Sequence, residues 1–275
     1  MTDTKPILIL GGTGKTGRRL AERLTSRGIP VRIGSRSGTP RFDWDAPASW
    51  APALEDVSAV YISYYPDIAV PGAAEVIDAF ARLAVRHGVR RLVLLSGRGE
   101  HEAQRAEEML KASGADWTIL RCAWFSQNFS EGFLVEPLLA GEVALPVGPV
   151  GEPFVDVDDI ADAAEAVLTQ SGHVGQLYEL TGPRLLSFAD AVGEIARATG
   201  RDIGFVRISH DEFTAAVASH DLPPEFAWLL NELFTQVLDG RNESLADGVQ
   251  RLLGRAPKDF STYATETAAA RIWSN

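Results

Sequence analysis

An apolar run from Pro6 to Leu10 leads directly into Gly11-Gly12-Thr13-Gly14-Lys15-Thr16-Gly17, and this junction constrains the fold more tightly than any other stretch of the chain. Gly12, Gly14 and Gly17 satisfy the spacing G-x-G-x-x-G. Behind them Leu20, Ala21 and Leu24 recur at helical spacing until Gly28 and Pro30, so a helix is expected from about Gly14 to Ser26. Strand, glycine turn and helix in that order form a cradle for the pyrophosphate of a dinucleotide. Glycine permits the tight turn, the close approach of backbone to phosphate and the close packing of helix on strand, and the helix N-terminus supplies unpaired N–H donors with a positive partial charge. Lys15-Thr16 imitates the phosphate loop of nucleotide triphosphatases, but that loop needs a glycine at position 9, where the chain has Ile9.

The same alternation continues. Val31–Gly34, Ala59–Ser63, Arg91–Leu95 and Trp117–Leu120 read as strands, and the stretches 72–87 and 101–113 as helices between them. This predicts a doubly wound parallel α/β sheet covered on both faces. From about residue 121 the rhythm breaks into Pro- and Gly-rich sequence, and a smaller α/β C-terminal lobe is expected. Asp156–Thr169 and Ser187–Thr199 read as capped helices, and Leu177–Leu180 as a strand returning to the main sheet. The part from Asp211 onward reads as mostly helical. The domain reading is 1–150 for the nucleotide-binding part, with 152–182 returning to its sheet, and 183–275 for a mostly helical substrate or cap lobe. A chain of 275 residues with 45% apolar and 23% charged residues has ample material for such a core and is too hydrophobic for disorder. The net charge of -11 argues against nonspecific nucleic-acid binding. No apolar stretch approaches a membrane span, the first ten residues lack the pattern of a signal peptide, and a lone Cys122 suits a reducing compartment. A cytoplasmic protein without membrane contact is expected.

Cofactor choice is written after the second strand, where a carboxylate accepts ribose hydroxyls and an arginine meets a 2′-phosphate. Here Ser35 and Arg36 follow Gly34, with no acid, which favours NADP (NADPH) over NAD. Asp43 and Trp44 are expected to follow a third strand. Asp43 is the candidate partner of the adenine amino group, and Trp44 is either a lid or a packing residue. Tyr64 and Tyr65 end the Ala59–Ser63 strand as cleft walls or a proton donor, with Ser63 beside the cofactor. Ser96 either bonds substrate or nicotinamide or simply starts a turn. Arg98 either binds an anionic substrate or is a solvated surface residue.

Several motifs together resemble the NmrA-like branch of atypical short-chain dehydrogenases, which is related to type 2 quinone oxidoreductases and triphenylmethane reductase. They are GGTGKTG at 11–17, LLSG at 94–97, Ser113-Gly114 followed by WTILR at 117–121, WFSQNF at 124–129, FVDVDDIA at 154–161 and YELTGP at 178–183. The resemblance implies a Rossmann-type NADP-binding domain, a substrate cleft against a small C-terminal lobe, and Trp124, Phe125, Gln127 and Asn128 lining that cleft. Aromatics there are equally core residues. Some members of the branch reduce small molecules, and others bind dinucleotide without turnover as redox-sensing regulators.

The chain departs from typical short-chain dehydrogenases in lacking Tyr-x-x-x-Lys, whose lysine lowers the tyrosine pKa for proton donation. Four positions before Lys5, Lys15, Lys111 and Lys258 stand Met1, Gly11, Glu107 and Gly254. Loss of that pair weakens ketone reduction more than quinone reduction. No metal site is expected. The H-E-x-x-H pattern starting at His101 ends in Arg105, and His87, His173, His210 and His220 show no ligand spacing and suit surface or helix-end roles. No G-x-S-x-G surrounds Ser96, since Leu94 stands two places before it. The leading expectation is hydride transfer from NADPH to a small conjugated acceptor, quinone or enone. A dinucleotide-sensing regulatory module comes second and an epimerase or isomerase third. Leu229, Leu230, Leu233, Phe234, Val237 and Leu238 form an apolar stripe that caps the cleft or meets a partner, either a second copy in a homodimer or a regulatory protein.

Overall fold

The computed structural model describes residues 5–219 and 222–274; His220 lies outside them. The elements in chain order begin with β1 (Ile7–Leu10), α1 (Lys15–Ser26), β2 (Val31–Gly34), α2 (Trp50–Leu54), β3 (Ala59–Ile62), α3 (Ala73–Arg86), β4 (Arg91–Gly97), α4 (His101–Ala112) and β5 (Asp116–Cys122). They continue with α5 (Val135–Ala140), β6 (Glu142–Leu145), α6 (Val157–Thr169), β7 (Gln176–Leu180), α7 (Phe188–Thr199) and β8 (Gly204–Arg207). The chain closes with α8 (His210–Ser219), α9 (Pro224–Glu232), a π-helical turn at Leu233–Val237, α10 (Gly248–Leu253) and α11 (Phe260–Ala269).

The chain divides into two compact units: residues 1–122, 158–179 and 248–254 form one, and residues 123–157, 180–247 and 255–275 the other. The break after Cys122 falls earlier than the expected boundary near 150. Residues 142–145 form β6, which pairs in parallel with β8 of the second unit and so carries the preceding segment with it.

In the first unit six strands stand in the order β2-β1-β3-β4-β5-β7. The pairings from β2 through β5 are parallel. At the two ends of β7, Gly175 donates to Trp117 and Ala123 to Leu180, so β7 runs with β5. Strand alternation sorts the side chains by face. Leu8, Leu10, Val60, Ile62, Leu92 and Leu94 enter one core with Ile77, Phe80, Ala106 and Leu110 of α3 and α4. Tyr61 lies on the opposite face, where its hydroxyl reaches Thr16 of α1. Helices therefore cover both faces, as the alternating pattern requires. On the α1 side Arg23 pairs with Asp158 and Asp162, and Arg27 with Glu165, joining α1 to α6.

The second unit has an aromatic core in which Trp124, Phe129, Phe154, Phe188, Phe234 and Phe260 meet at ring-centroid distances of 5.1–5.8 Å. α7 starts with a full capping box between Ser187 and Asp190 and ends at Gly200 in the left-handed conformation. From the apolar stripe at 229–238, Leu229, Phe234, Val237 and Leu238 are buried, and Phe234 and Leu238 belong to this core. Phe234 and Leu238 thus pack into the core of the second unit, with Leu230 and Leu233 partly buried against it. Among the described residues no helix is long and apolar enough to cross a membrane.

Candidate nucleotide-binding site

The strand order turns back between β1 and β3, and ligands of such sheets collect at the carboxyl ends of the strands flanking that point. The glycine turn lies there. Gly11 adopts φ +67°, a left-handed conformation that favours glycine, and its carbonyl accepts the Gly14 N–H at 2.8 Å. A Cβ on Gly12 would stand 2.9 Å from Ile33 of β2, and one on Gly17 would overlap the Gly11 carbonyl, so helix and turn are in close contact. Gly14 is the N-cap of α1, no side chain caps that end, and its first turn holds no acid. With Thr13 and Gly14 exposed and Lys15 half-buried, the N-terminal end of α1 lies toward the surface, and a helix start is where an anion is favoured. Thr16 faces the other way. It is buried and its hydroxyl accepts from Tyr61 at 3.0 Å, which makes it a packing contact, and burial pushes the Tyr61 hydroxyl pKa up.

After β2, Ser35 Oγ lies 3.4 Å from Ser37 Oγ, and the Ser35 carbonyl accepts from Gly38 and Phe42 to close the loop. The exposed Arg36 lays its guanidinium over the Tyr65 ring, 5.3 Å from the centroid. No third strand lies between β2 and Asp43, contrary to the sequence reading; Asp43 and Trp44 sit in the loop that leads from β2 to a 3-10 turn and α2. The Asp43 carboxylate takes Arg41 at 2.6 Å and the Asp45 N–H at 3.3 Å, and the Arg41 bond holds its pKa below the usual carboxylate range. Trp44 is buried against Phe42, Trp50, Tyr64 and Phe80, so of lid and packing residue it is the second.

Ser63 follows β3 and abuts the turn, since a Cβ on Gly11 would touch it at 3.1 Å. Tyr64 packs on Trp44 at 5.0 Å, and burial raises its pKa, whereas Tyr65 is 54% exposed. At the end of β4, Ser96 is buried and donates to Glu107 Oε1 at 2.6 Å. Arg98 is no solvated residue. It is buried and pairs with Glu179 at 3.4 Å, while Arg121 bonds Glu179 at 3.0 Å and takes both carboxylate oxygens of the fully buried Glu107. Glu107, Arg121 and Glu179 were not singled out from sequence. A signal existed, because Glu107 shares the i, i+3, i+4, i+7 stripe of α4 with Ala103, Ala106 and Leu110, and a charge on an apolar stripe must find a partner.

In the second unit Trp124 is a core residue, and its N–H donates to Glu152. Gln127 is buried with Nε2 on Asp156 at 3.0 Å and Oε1 on the Val157 N–H at 2.9 Å, holding the start of α6. Phe125 and Asn128 are half-buried, and Phe125 bridges to Val155. His173 is half-buried, its Nδ1 3.0 Å from Tyr178 Oη and its Nε2 shielded from solvent.

Residues 11–171, more than half of the chain, match the family described as NAD(P)H-binding. The chain belongs to that NAD(P)H-binding family. The match opens at the glycine turn and includes Arg36, Tyr65 and Ser96. The dinucleotide-binding part of the sequence reading therefore holds at the level of the family. The NAD(P)H-binding chain is 30% identical to prestalk A differentiation protein A of Dictyostelium discoideum, covering 97% of this chain and 94% of that protein. It is 31% identical to an uncharacterized oxidoreductase of Bacillus subtilis (98% and 97% covered) and 30% identical to agroclavine dehydrogenase of Claviceps fusiformis (97% and 98%).

Solved structures share the fold. A nucleoside-diphosphate-sugar epimerase from Staphylococcus aureus matches with TM-score 0.78 at 18% identity, covering 94% of this chain and 99% of that one. An NADPH-dependent quinone oxidoreductase from Escherichia coli, complexed with NADPH, matches with 0.76 at 23% (95% and 99%). NmrA, a negative transcriptional regulator in complex with NADP, matches with 0.72 at 15% (98% and 97%). Among these relatives, the Bacillus subtilis protein is an oxidoreductase and the Claviceps fusiformis protein a dehydrogenase by name. The residues present fit a dinucleotide, with an uncapped helix start, a turn that only glycines can make, and a cation after β2.

Proposed function

We propose that this protein is an NADPH-dependent oxidoreductase that transfers hydride to a small conjugated acceptor of the quinone or enone type. The observation that carries the reading is Arg36, which stands after β2 where an NAD-selecting carboxylate would stand and has an aromatic ring for a partner. Its guanidinium is suited to charge-assisted, bidentate bonds with a 2′-phosphate. The first-turn N–H groups of α1 would hold the pyrophosphate, and Ser35 and Ser63 flank the turn. Bound there, NADPH supplies the hydride.

The chain's own part is to bind, orient and exclude water. It lacks the Tyr-Lys pair, and the Ser96 hydroxyl is committed to Glu107. An acceptor that takes its proton from solvent or a weak donor suits such a site better than a ketone does. The agroclavine dehydrogenase and quinone oxidoreductase likenesses support the redox reading, and the buried, lone Cys122 is in keeping with a cytoplasmic setting. A second reading, a nucleotide-sensing regulator that signals through a protein partner, is favoured by that same missing pair.

The test is a fluorescence titration with NADPH and NADH, followed by stopped-flow oxidation of bound NADPH by a panel of quinones and enones. NADPH preference with rapid oxidation is expected. Tight binding with no acceptor oxidising the cofactor would replace the reductase with the sensor, and a preference for NADH would overturn the role of Arg36.

A further inference from the structure

We infer that Tyr65 and Arg41 are positioning residues that keep Arg36 aimed and uncompensated, and that they thereby set the preference for NADPH. The inference rests on the role proposed above for Arg36 and assigns its supports. β1 lies between β2 and β3, and neighbouring strands stand about 4.8 Å apart, so the ends of β2 and β3 are about 10 Å apart. Arg36, two residues beyond β2, nonetheless stacks 5.3 Å from the ring of Tyr65, three residues beyond β3. The two side chains together must bridge the carboxyl end of β1, where the glycine turn begins.

The ring is a partner that takes up none of the charge of the exposed Arg36, whose guanidinium can still donate to an incoming anion. An arginine restrained in this way loses less rotamer freedom when it binds a phosphate than one on an open loop does. Arg41 acts through Asp43. Asp43, which the bond from the Phe42 N–H to the Ser35 carbonyl at 2.9 Å brings back toward Arg36 on the same loop, bonds Arg41 through its carboxylate at 2.6 Å. Its backbone is pinned by Ser49 and Trp50, both of which donate to its carbonyl. With Arg41 removed, Asp43 is left as a fixed negative charge that competes for Arg36 and repels a 2′-phosphate. Neither support needs to touch the nucleotide.

The experiment measures equilibrium binding of NADPH, NADH and the fragment 2′,5′-ADP to the full chain and to six variants: Arg36→Gln, Tyr65→Leu, Tyr65→Phe, Arg41→Ala, Arg41→Ala with Asp43→Asn, and Arg36→Gln with Tyr65→Leu. Tyr65 and Arg41 are exposed loop residues, and NADH binding reports whether each variant keeps its site. Tyr65→Leu is expected to weaken NADPH and 2′,5′-ADP about two- to fivefold, the worth of an exposed cation–π contact, and to leave NADH unchanged. Tyr65→Phe keeps the ring and binds as the parent does. Arg41→Ala weakens NADPH selectively, adding Asp43→Asn restores it, and Tyr65→Leu costs nothing further once Arg36 is Gln. Equal losses for NADPH and NADH in Tyr65→Leu, no loss, or failure of Asp43→Asn to restore would overturn the inference. If Arg36→Gln abolishes the NADPH preference while Tyr65→Leu and Arg41→Ala leave it intact, only this inference falls. If Arg36→Gln leaves the preference unchanged, the proposed role of Arg36 falls first.

Discussion

Arg121 of β5 grips Glu107 of α4 with two nitrogens, and the carboxylate it grips has no solvent exposure at all. A buried pair of this kind gives little net stability over an apolar pair, yet it is costly to break because the remaining charge stays in the protein. Glu107→Ala strands Arg121 with Glu179 alone. It is expected to cost about 3 kcal/mol, the low end of the range for a broken buried pair, since Arg121 keeps some solvent contact. Urea unfolding of the two proteins checks this, and a loss below about 1 kcal/mol would mean that solvent already screens the pair.

Gly17 is held against the Gly11 carbonyl so closely that no Cβ fits between them. Gly17→Ala must push α1 away from the turn. Overpacking of this kind costs about 1–3 kcal/mol, and the displaced helix start should also weaken NADPH binding. Thr13→Ala, on the exposed side of the same turn, is the control and should leave stability within about 0.5 kcal/mol. The two unfolding midpoints, measured without nucleotide, separate the packing demand from any contribution of the ligand.

The sequence made the glycine turn and α1 legible because steric necessity there is local: a left-handed Gly11 and a Gly17 without room are demands on single residues. The Ser187 capping box and the Gly200 stop were readable for the same reason. β6 and β8 were not, since each is four residues long and finds its partner about sixty residues away. The segment before α2 misled because Phe42 and Trp44 alternate with polar neighbours as a strand would, yet both are drawn inward by the Phe80 and Trp50 rings while the backbone stays a loop. In the candidate site, the glycine turn and the place of Arg36 after β2 were readable from spacing. The Arg36–Tyr65 stack and the Ser96–Glu107–Arg121–Glu179–Arg98 network were not, because they depend on which strand ends the sheet order brings together.

His173 gives the fold a pH dependence whose sign can be worked out. Its Nδ1 is 3.0 Å from Tyr178 Oη and its Nε2 is buried with no hydrogen-bond partner; burial first, then the Arg91 charge, lowers its pKa below the ordinary value near 6.5. Below about pH 6.5 the unfolded chain therefore binds more protons at this residue than the folded chain does, so its contribution to stability falls as the pH falls and is flat above that point. His173→Gln removes the term. The drop in unfolding free energy between pH 7.5 and 5.5 should be smaller in the variant than in the parent, and an equal drop would show that the imidazole titrates freely in the folded state.

Ser96 tests whether the end of β4 does chemistry or holds structure. Its hydroxyl donates to Glu107 Oε1 at 2.6 Å from a buried position, so its proton is already engaged with a carboxylate that Arg121 also grips. A side chain donating a proton to substrate contributes about 10²- to 10⁴-fold to rate, whereas a hydrogen bond to a charged group contributes about 1.5–3 kcal/mol to stability. Ser96→Ala is accordingly expected to lose about that much stability and to change kcat by less than about threefold under conditions where the variant is fully folded. Both are read from one preparation, by urea unfolding and by steady-state quinone reduction. A kcat loss of about 100-fold with unchanged stability would return Ser96 to the chemistry and require its hydroxyl to leave Glu107 during turnover.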